Sequence, residues 1–598
     1  MILQALVRHY EDLVARDAIA GPGWSKAKIS YALEIDDEGQ LLQAVSVMAQ
    51  QQRGKKTMLL PQEMELPAPV PGRTGKSIKP SFLWDNASYI LGIDEKGNPE
   101  RAKDCFSASQ KHHIELLSGV NCAPAQAIVA FFRNWDPKRA ADHPALREHL
   151  DEILSGANLV FRYRGAFAQQ DPAVREAWQR HYDDDSEGTL SVCLVTGQAA
   201  VPQEVHPSIK GVQGAQSSGA ALVSFNGEAF ESFGKEQSLN APVGKYAAFA
   251  YTAVLNHLIA DRRHNSLVGD TLVLCWAEGG DPAAQDLFSA YALGNDSDYA
   301  EEDIRNAVSA LLAGETVDFD EGRIAPDTDF YLLGIAPNAA RLSVRFFYRN
   351  TIGEFLKNVQ AHYDRLRIVG GQTRYLSPWW LLQETVGGKA RDKHNKSAAN
   401  TKPQQETVSE KARDKSGMKN TAAALLRSIL TNTPYPSTLL SGVELRIRAE
   451  REIKWRKAAI LKAYYTKNRH PQVPKEVCTV SLNEQCTNTA YVLGRLFAVL
   501  ERIQSEANPG VNATIKDKYF NSASATPARV FPMLIDLAQK HLRKLAGGQR
   551  IYFDKQISGL CSLLQESFPD RMTVPQQGSF QLGYYHQKEK LFEKKEEK

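Results

Sequence analysis

The chain lacks the cysteine pairs, long apolar runs and strong charge imbalance that mark specialised classes of protein. Its seven cysteines include no CxxC pair, and an odd, scattered set is typical of reduced thiols rather than of a disulfide framework. The opening segment MILQALVRHYEDL acquires charge within a few residues, so it is not predicted to be a signal peptide, and no run reaches membrane-spanning length. We therefore expect a cytoplasmic protein with no membrane partner.

The sequence also lacks a complete catalytic or metal-binding motif. The segment GRTGKS at 72–77 resembles a phosphate-binding loop, but Val70 stands where that motif needs glycine, and prolines occupy the place of the preceding strand. Ser232 and Lys235 have the spacing of a serine–lysine nucleophile pair, which is a four-residue pattern that arises often by chance. Neither GxSxG nor HExxH occurs. We therefore predict that the protein is not an enzyme and needs no cofactor or metal.

Positive and negative charges nearly balance over the whole chain. The 72 basic and 69 acidic residues leave a formal charge of +3, and a 43% hydrophobic content is that of an ordinary globular protein. A chain of 598 residues is too long for one core and should form about two to four domains. Any nucleic-acid surface must therefore be a local patch within a nearly neutral molecule.

Mixed helix and strand patterns fill residues 1–380. Helical spacing of apolar residues predicts an opening helix over 2–15, and alternation predicts a hairpin of strands at 29–35 and 41–48. Further helices are predicted at 102–163, 172–183 and 247–258, with Phe131, Phe132 and Trp135 in the core. Further strands are predicted at 190–201, 271–276, 329–335 and 341–348. The fold class is thus α+β, with a large mixed N-terminal region.

A short duplication follows this region. QETVGGKARDK at 383–393 recurs as QETVSEKARDK at 405–415, and a tandem copy without an apolar face cannot build a core. We predict a disordered linker over 381–420 and an all-helical bundle over 421–598. The bundle is predicted to contain a helix beginning near Leu425, helices at 443–467, 489–504, 531–545 and 557–564, and a polar loop at 512–526.

Glycine, serine, glutamine and asparagine are dense between His206 and Pro242, where charge is sparse. Such a stretch presents many hydrogen-bonding groups on a backbone that can approach another molecule closely. This composition suits contact with a polar, anionic polymer. The alternative is a long surface loop with hairpins and no ligand. The residues with binding chemistry are Lys210, Gln213, Gln216, Ser217, Ser218, Asn226, Lys235 and Asn240.

Two further segments combine positive charge with polar or aromatic groups. The first is the loop that carries Arg73, Lys76 and Lys79, which is otherwise interpreted as a solvated, proline-rich linker; the following Trp84 is interpreted as a core anchor. The second is the helical segment 441–470, which has nine basic and three acidic residues interleaved with aromatics. A merely solvated helix face is the alternative there. The candidate binding residues of the helical segment are Arg446, Arg448, Arg451 and Lys454. Two lysines of the predicted polar loop, Lys516 and Lys518, are added to them.

Long blocks spread along the chain resemble one known family. They include HPSIKGVQGAQSSGAALVSFN, ESFGKEQSLNAPV, FLWDNASYILG, YLLGIAPNAARLSVRFF, AYVLGRLFAVLERIQ, NATIKDKYFNSASATPARVFP and QGSFQLGYYHQ. These blocks and the order in which they occur make the chain similar to the large subunit of the type I-C CRISPR surveillance complex, Cascade. The resemblance implies a subunit at the 5′-handle end of a guide RNA. Its partners would be the backbone, 5′-handle-binding and small subunits.

The resemblance also implies a task on DNA. Such a subunit inspects duplex DNA for a protospacer-adjacent motif, helps to separate the strands, holds the displaced strand and recruits a helicase-nuclease, while guide pairing identifies the target. We assign motif recognition to Arg73, Lys76, Lys79 and the 210–240 residues, with Gln213 or Gln216 inserted beside the first unwound pair. We assign displaced-strand binding to the basic residues of the helical region.

Two alternatives and one additional product remain open at this stage. The chain could be a purely structural bridge without DNA contact, or a nuclease that processes the guide, although no cluster of His, Asp or Glu supports the latter. Loci of this type are known for making the small subunit from inside the large-subunit reading frame. Met418, Val477 and Val480 are the candidate starts for such a C-terminal product.

Overall fold

The chain folds into two compact units. The N-terminal unit comprises Met1–Asp261, Glu278–Gly280 and Pro337–Ser343, and the C-terminal unit comprises Arg262–Ala277, Asp281–Ala336 and the chain from Val344. This computed structural model describes residues 1–593 apart from 54–55, 72–76, 95–97, 185–187, 226, 296, 372–375, 387–420, 511 and 565–566, and only the backbone of 51–53 and 56–57. Most of the linker predicted over 381–420 lies outside the described residues, so the predicted division into domains stays a prediction.

A small mixed sheet organises the N-terminal unit. Its strands lie in the order β3-β2-β8-β7, with β9 added to β8, and β2 and β8 run parallel while their other neighbours run antiparallel. β1 pairs with β6, β4 with β5, and β10 with β11. The strands are β1 Trp24–Ile29, β2 Tyr31–Ile35, β3 Leu41–Ser46, β4 Ala49–Arg53, β5 Lys56–Leu60, β6 Gln62–Pro67, β7 Trp84–Asn86, β8 Asn158–Tyr163, β9 Ala166–Phe167, β10 Ser191–Val192 and β11 Ala199–Ala200.

Helices bury aromatic side chains against this sheet. Phe131 and Phe132 are fully buried and contact Phe161 of β8 with ring centroids 5.2 and 5.6 Å away. Trp135 stacks on Phe131 at 5.1 Å, so the predicted core residues belong to one aromatic cluster. The helices are α1 Ile2–Ala15, α2 Ala87–Ile90, α3 Pro99–Leu117, α4 Ala123–Asn134, α5 Leu150–Leu154, α6 Pro172–Asp183 and α7 Lys245–Ala260.

A four-stranded antiparallel sheet begins the C-terminal unit. Its order is β12-β13-β16-β17, and every residue of β13 is buried, as expected for a central strand built from a continuous apolar run. Trp276 of β13 stacks on Tyr331 of β16 with centroids 5.2 Å apart. The strands are β12 Asn265–Val268, β13 Thr271–Ala277, β14 Val317–Phe319, β15 Gly322–Ile324, β16 Asp329–Asn338 and β17 Arg341–Thr351.

The remainder of the C-terminal unit is helical, as predicted for the region after 421. The last helix, α19, lies against α15 with glycines at the contact, so the two backbones approach closely. One apolar core continues from the sheet into this bundle. The helices are α8 Pro282–Phe288, α9 Glu301–Leu312, α10 Ile352–Leu366, α11 Pro378–Gln383, α12 over 421–430, α13 Ser437–Glu450, α14 Trp455–Asn468, α15 Thr489–Ala507, α16 Ile515–Ala525, α17 Pro527–Leu542, α18 Gly547–Ser562 and α19 Val574–Phe592.

Three local predictions are wrong, although the α+β class is confirmed. Residues 158–163 form strand β8 at the end of a segment predicted to be helical, because they pair with β2 and β7. The helix predicted over 443–467 is two helices, because Arg451 adopts a left-handed φ of 52° that ends α13. The segment 512–526, predicted to be a polar loop, contains helix α16. This helix begins at a capping box that Thr514 and Asp517 form.

Candidate nucleic-acid interface

The first half of the glycine-rich stretch is a loop with a hydrogen-bonded base. Ile209 and Ala220 exchange two backbone hydrogen bonds of 2.9 Å, which bring the ends of the loop together. Between them, Gly211 and Gly214 take φ values of 83° and 87°, so the chain reverses where side chains larger than glycine would be strained. Ile209 and Ala220 are also buried. The loop therefore projects from a fixed, apolar base.

Helix α7 holds this base in place. The Asn256 side chain accepts a hydrogen bond from the Lys210 backbone N–H at 2.8 Å and donates one to the Ser208 carbonyl at 3.2 Å. One turn earlier, the Tyr251 hydroxyl shares a 2.6 Å hydrogen bond with Nδ1 of His206. Burial lowers the pKa of His206 to about 4, so the ring is neutral at pH 7. His206 thus has a structural role.

We call residues 210–219 the polar tip. The tip exposes one lysine, two amides and two hydroxyls, while Val212 packs inward. No Asp or Glu occurs between Glu204 and Glu228, so no negative charge of the segment itself opposes an approaching phosphate. The structure therefore brings together on one exposed loop the predicted residues Lys210, Gln213, Gln216, Ser217 and Ser218.

The second half of the stretch, residues 228–240, has a different chemistry, and we call it the acidic segment. It carries three glutamates and one lysine. Phe233 is 99% exposed at a two-residue turn, where a φ of 54° is costly for a bulky residue. The Arg341 guanidinium lies 4.5 Å from the Phe230 ring centroid. Phe233 is the residue that the sequence reasoning missed; the Phe-Gly pair between Ser232 and Lys235 was the available signal.

Two of the predicted residues in the acidic segment differ in their availability. The Asn240 amide donates to the carbonyls of Lys235 and Gln237, at 2.7 and 3.0 Å, and so stabilises its own loop. The Lys235 side chain is exposed beside Phe233. Asn226, the third predicted residue of this stretch beyond the tip, lies outside the described residues.

The proline-rich loop is described only in part. Arg73 and Lys76 lie outside the described residues, so their predicted roles are not tested by the geometry. Lys79 donates from Nζ to the Pro71 carbonyl at 2.8 Å, which fixes the end of this loop. Trp84 is half-buried in a small apolar cluster and donates to the Pro67 carbonyl at 2.9 Å. Its geometry agrees with the interpretation of Trp84 as an anchor.

Much of the predicted basic face is engaged within the protein. Arg446 donates from Nε to Glu450 at 3.2 Å, and Glu450 also binds Lys457, which is only 2% exposed. Arg448 donates to Oε1 of Gln577 at 3.1 Å. Lys454 is 56% exposed and lies 3.5 Å from Glu452. Carboxylates therefore pair with Arg446, Lys454 and Lys457, and a neutral amide engages Arg448, which the composition alone did not reveal.

The end of α13 and the start of α16 nevertheless form one exposed basic group. Arg451 donates to the Asp517 carbonyl, and Asn521 donates to the Arg448 carbonyl at 3.1 Å. Arg448, Arg451 and Lys518 are exposed there, and Lys516 is half-buried. The structure thus joins predicted residues that lie more than sixty positions apart in the sequence.

The described residues contain no group of three or more His, Cys, Asp or Glu residues arranged to hold a metal ion. None of the helices described is both long and apolar enough to cross a membrane.

Comparison with known proteins bears on the whole chain. No curated protein matches the sequence. The family model described as CRISPR-associated protein (Cas_Csd1) matches residues 6–592, which is nearly the full length. The sequence blocks that suggested the resemblance all lie within these matched residues. The chain belongs to the Cas_Csd1 family of CRISPR-associated proteins, the family of the type I-C large subunit.

Proposed function

We propose that this protein is the DNA-sensing large subunit of a type I-C Cascade complex and performs no reaction on the DNA itself. The observation that carries the proposal is the polar tip, an acid-free set of amides and hydroxyls with one lysine on a fixed base. Lysine neutralises phosphate, and amides and hydroxyls reach base edges. Because guide pairing identifies most of the target, the protein needs to recognise only a short motif.

The anchoring of the loop supports recognition by a preformed site. Asn256 and the Ile209–Ala220 pair hold the ends of the tip before any ligand arrives, so less conformational entropy is lost when DNA binds. Gly211 and Gly214 let the backbone itself approach a groove. We place motif recognition at the tip, together with Arg73, Lys76 and Lys79 of the proline-rich loop.

Single alanine substitutions in the assembled complex test this assignment. Gln213→Ala and Gln216→Ala are compared for binding to duplexes with and without the motif, at fixed salt. A good base contact discriminates by about 1–3 kcal/mol, so at least one variant should lose about five- to 150-fold in preference for the motif.

A matched control is available on α4, where Gln126 is an exposed glutamine on a helix. Gln126→Ala should leave both affinity and preference unchanged. Full discrimination in both tip variants would show that the motif is recognised elsewhere.

Displaced-strand binding is proposed for the helical region, where Arg448, Arg451, Lys454, Lys516 and Lys518 leave exposed charge around α13 and α16. Arg446 has a smaller part in this proposal because Glu450 neutralises it. Replacing Arg448 and Arg451 with glutamine should weaken retention of the displaced strand and leave motif preference unchanged. Equal damage to both properties would contradict this division of tasks.

A structural bridging role is a second candidate, and Phe233 favours it. An exposed phenylalanine beside three glutamates suits a protein pocket with a basic rim better than it suits a polyanion. A photoreactive benzoyl-phenylalanine in place of Phe233 tests this in the complex. Crosslinks to a neighbouring subunit or to the helicase-nuclease would support bridging, and crosslinks to DNA would reject it.

We propose no catalytic role for this chain, and its partners would be the guide-containing subunits, target DNA and the helicase-nuclease. Incubation of the purified chain with repeat RNA, duplex DNA and ATP provides the test. Any cleavage or nucleotide turnover that follows the chain through purification would overturn the proposal.

We also propose that a C-terminal product is made separately. A start at Val477 or Val480 would yield the five helices α15 to α19. Mass spectrometry of the purified complex would detect this fragment. A complex in which only the full chain is found would reject the idea.

A further inference from the structure

The end of α9, the turn before β16 and one face of α10 enclose an open cleft of about 580 Å³. We call it the α9–α10 cleft. Its lining includes apolar groups that a ligand can reach, since Leu312 is 37% exposed and Pro326 and Ala361 are half-buried. Ligand sites in proteins commonly measure about 300–1,000 Å³. The cleft is therefore large enough to receive side chains of another molecule.

The charged residues of the lining give the cleft a negative rim. They are Asp327, Glu354, Lys357 and Asp364. Lys357 lies 3.1 Å from Glu354 and offsets its charge, whereas Asp327 and Asp364 form no ion pair with the described residues. The acidic character extends beyond the rim, because the segment 298–329 carries ten acidic and two basic residues in a chain whose formal charge is +3. A phosphate group is therefore repelled at this surface.

Backbone contacts hold two sides of the cleft together. The Gly353 N–H of α10 donates to the Pro326 carbonyl at 2.9 Å, and a Cβ at residue 353 would lie 2.8 Å from that oxygen. Glycine therefore allows the close approach that places Asp327 beside the first turn of α10. Further along α10, the Gln360 amide donates to Asp364 at 3.0 Å. The positions of both unpaired acidic residues are thus fixed before a partner arrives, which reduces the entropy lost on binding.

We infer that the α9–α10 cleft binds a basic segment of a partner protein. Lysine or arginine groups of that segment pair with Asp327 and Asp364, and one of its apolar side chains packs on Leu312. Charge complementarity selects this occupant, because proteins that hold RNA or DNA carry exposed lysine and arginine. The inference goes beyond the proposed function and rests on it only in that the partner belongs to the same assembly.

Two other kinds of occupant are poorer fits. A nucleic acid would bring phosphates against the acidic segment 298–329. A divalent metal ion needs several oxygen ligands around one point, and the described residues contain no such group of carboxylates. The cleft therefore differs in chemistry from the polar tip and from the basic residues of the helical region.

Biolayer interferometry with the full-length chain tests the inference. One measurement follows binding of the chain to the complex assembled without it, and the other follows binding of the complete complex to the helicase-nuclease. Asp327→Asn with Asp364→Asn should weaken one of these associations about two- to thirtyfold, because two exposed ion pairs are lost, and the difference should shrink at high salt. Leu312→Ser should weaken the same association about three- to sevenfold, because less apolar surface is buried.

Asp104→Asn provides the matched control, because Asp104 is an exposed carboxylate on α3 that forms no ion pair with the described residues. It should leave both associations unchanged. Hydrogen exchange of residues 310–328 and 352–364 gives a second readout, and it should slow in the association that the cleft variants weaken. Slower exchange when the isolated chain is merely concentrated would show that a second copy occupies the cleft, and would overturn the inference.

The outcomes also separate this inference from the proposed function. If the cleft variants bind both partners like wild type, the inference is wrong, whereas motif recognition is judged by Gln213→Ala and Gln216→Ala alone. If those tip variants keep full discrimination while the cleft variants lose a partner, the motif assignment is wrong and the inference stands.

Discussion

Replacing Gly494 with alanine should separate the two central helices of the C-terminal bundle. A Cβ at residue 494 of α15 would overlap the Phe580 carbonyl oxygen of α19 and lie 2.8 Å from the Tyr584 nitrogen. In the opposite direction, a Cβ at Gly583 would overlap the Tyr491 carbonyl oxygen and lie 2.9 Å from its carbonyl carbon. All these neighbours are helix backbone, so no side-chain rotation relieves the overlap.

The free-energy cost follows from this geometry. Overpacking typically costs about 1–3 kcal/mol, and we expect the upper end, about 3 kcal/mol, because two rigid helices must move apart. Their separation also loosens the packing of Phe497 against Phe580, whose ring centroids are 5.9 Å apart. Alanine has a higher helix propensity than glycine, and this difference offsets at most about 1 kcal/mol of the cost.

Hydrogen exchange of α15 and α19, followed by mass spectrometry, measures the effect locally. A net loss of about 2–3 kcal/mol corresponds to roughly thirty- to 150-fold faster exchange through opening of the bundle. Gly559→Ala on α18 is the matched control, because nothing lies within 4 Å of the new Cβ, and it should stabilise its helix by about 0.5–1 kcal/mol. Exchange in Gly494→Ala that is no faster than in wild type would refute the close-packing argument.

Three further predictions concern polar side-chain contacts. Asn256→Ala should speed exchange of the Lys210 amide about fivefold, since a hydrogen bond is worth about 1 kcal/mol, whereas Asn256→Asp keeps the acceptor and should preserve protection. Glu444→Gln should stabilise the protein towards urea at pH 7 and lose this advantage near pH 4.5, because burial raises the pKa of Glu444 and charging it in the fold is unfavourable above that pH. Glu450→Gln should cost about 3 kcal/mol at pH 7, because Lys457 is left buried without its counter-charge. Lys457 and Arg446 hold the pKa of Glu450 low despite its burial, so the Glu450→Gln difference should shrink as the pH falls through that pKa.

Local patterns in the sequence predicted the elements whose cause is local. The predicted opening helix agrees with α1, Ile2–Ala15, and the apolar run from Thr271 agrees with β13 to within one residue. The helix prediction for the residues of β8 was wrong because their conformation depends on parallel pairing with β2, about 130 residues away. Pairing at that separation leaves no mark on the hydrophobic period of either segment.

The helix predictions failed for a different reason. Nothing in the composition of the segment around Arg451 prescribes its left-handed backbone, which ends α13 and separates it from α14. The start of α16, by contrast, has a signal in the sequence, because Thr514 is followed three residues later by Asp517, which is the pattern of a capping box. The polarity of the segment alone predicted a loop.

The candidate interface shows the same limit. Composition located the stretch from His206 to Pro242, and the positions of its glutamates separate the polar tip from the acidic segment, but only the fold shows that Phe233 is exposed. Composition also overestimated the free charge around α13, because the carboxylate of Glu450 pairs with both Arg446 and Lys457. A count of basic residues measures formal charge, whereas binding to phosphate depends on charge that no internal acceptor has engaged.

This distinction also explains how a nearly neutral chain can act in an RNA-guided complex. Affinity that comes from phosphate contacts is independent of sequence and grows with their number, so a strongly basic subunit would be held on DNA lacking the motif. In the fold, carboxylates or polar groups engage many of the cations along α13 and α14, and unpaired charge is concentrated at small sites such as Arg543 and Arg550. We therefore expect the isolated chain to bind duplex DNA weakly and with a shallow salt dependence. Each phosphate contact on duplex DNA contributes about 0.9 to the slope, so a slope much steeper than about 2 would mean that many more cations contact phosphate than the fold leaves free.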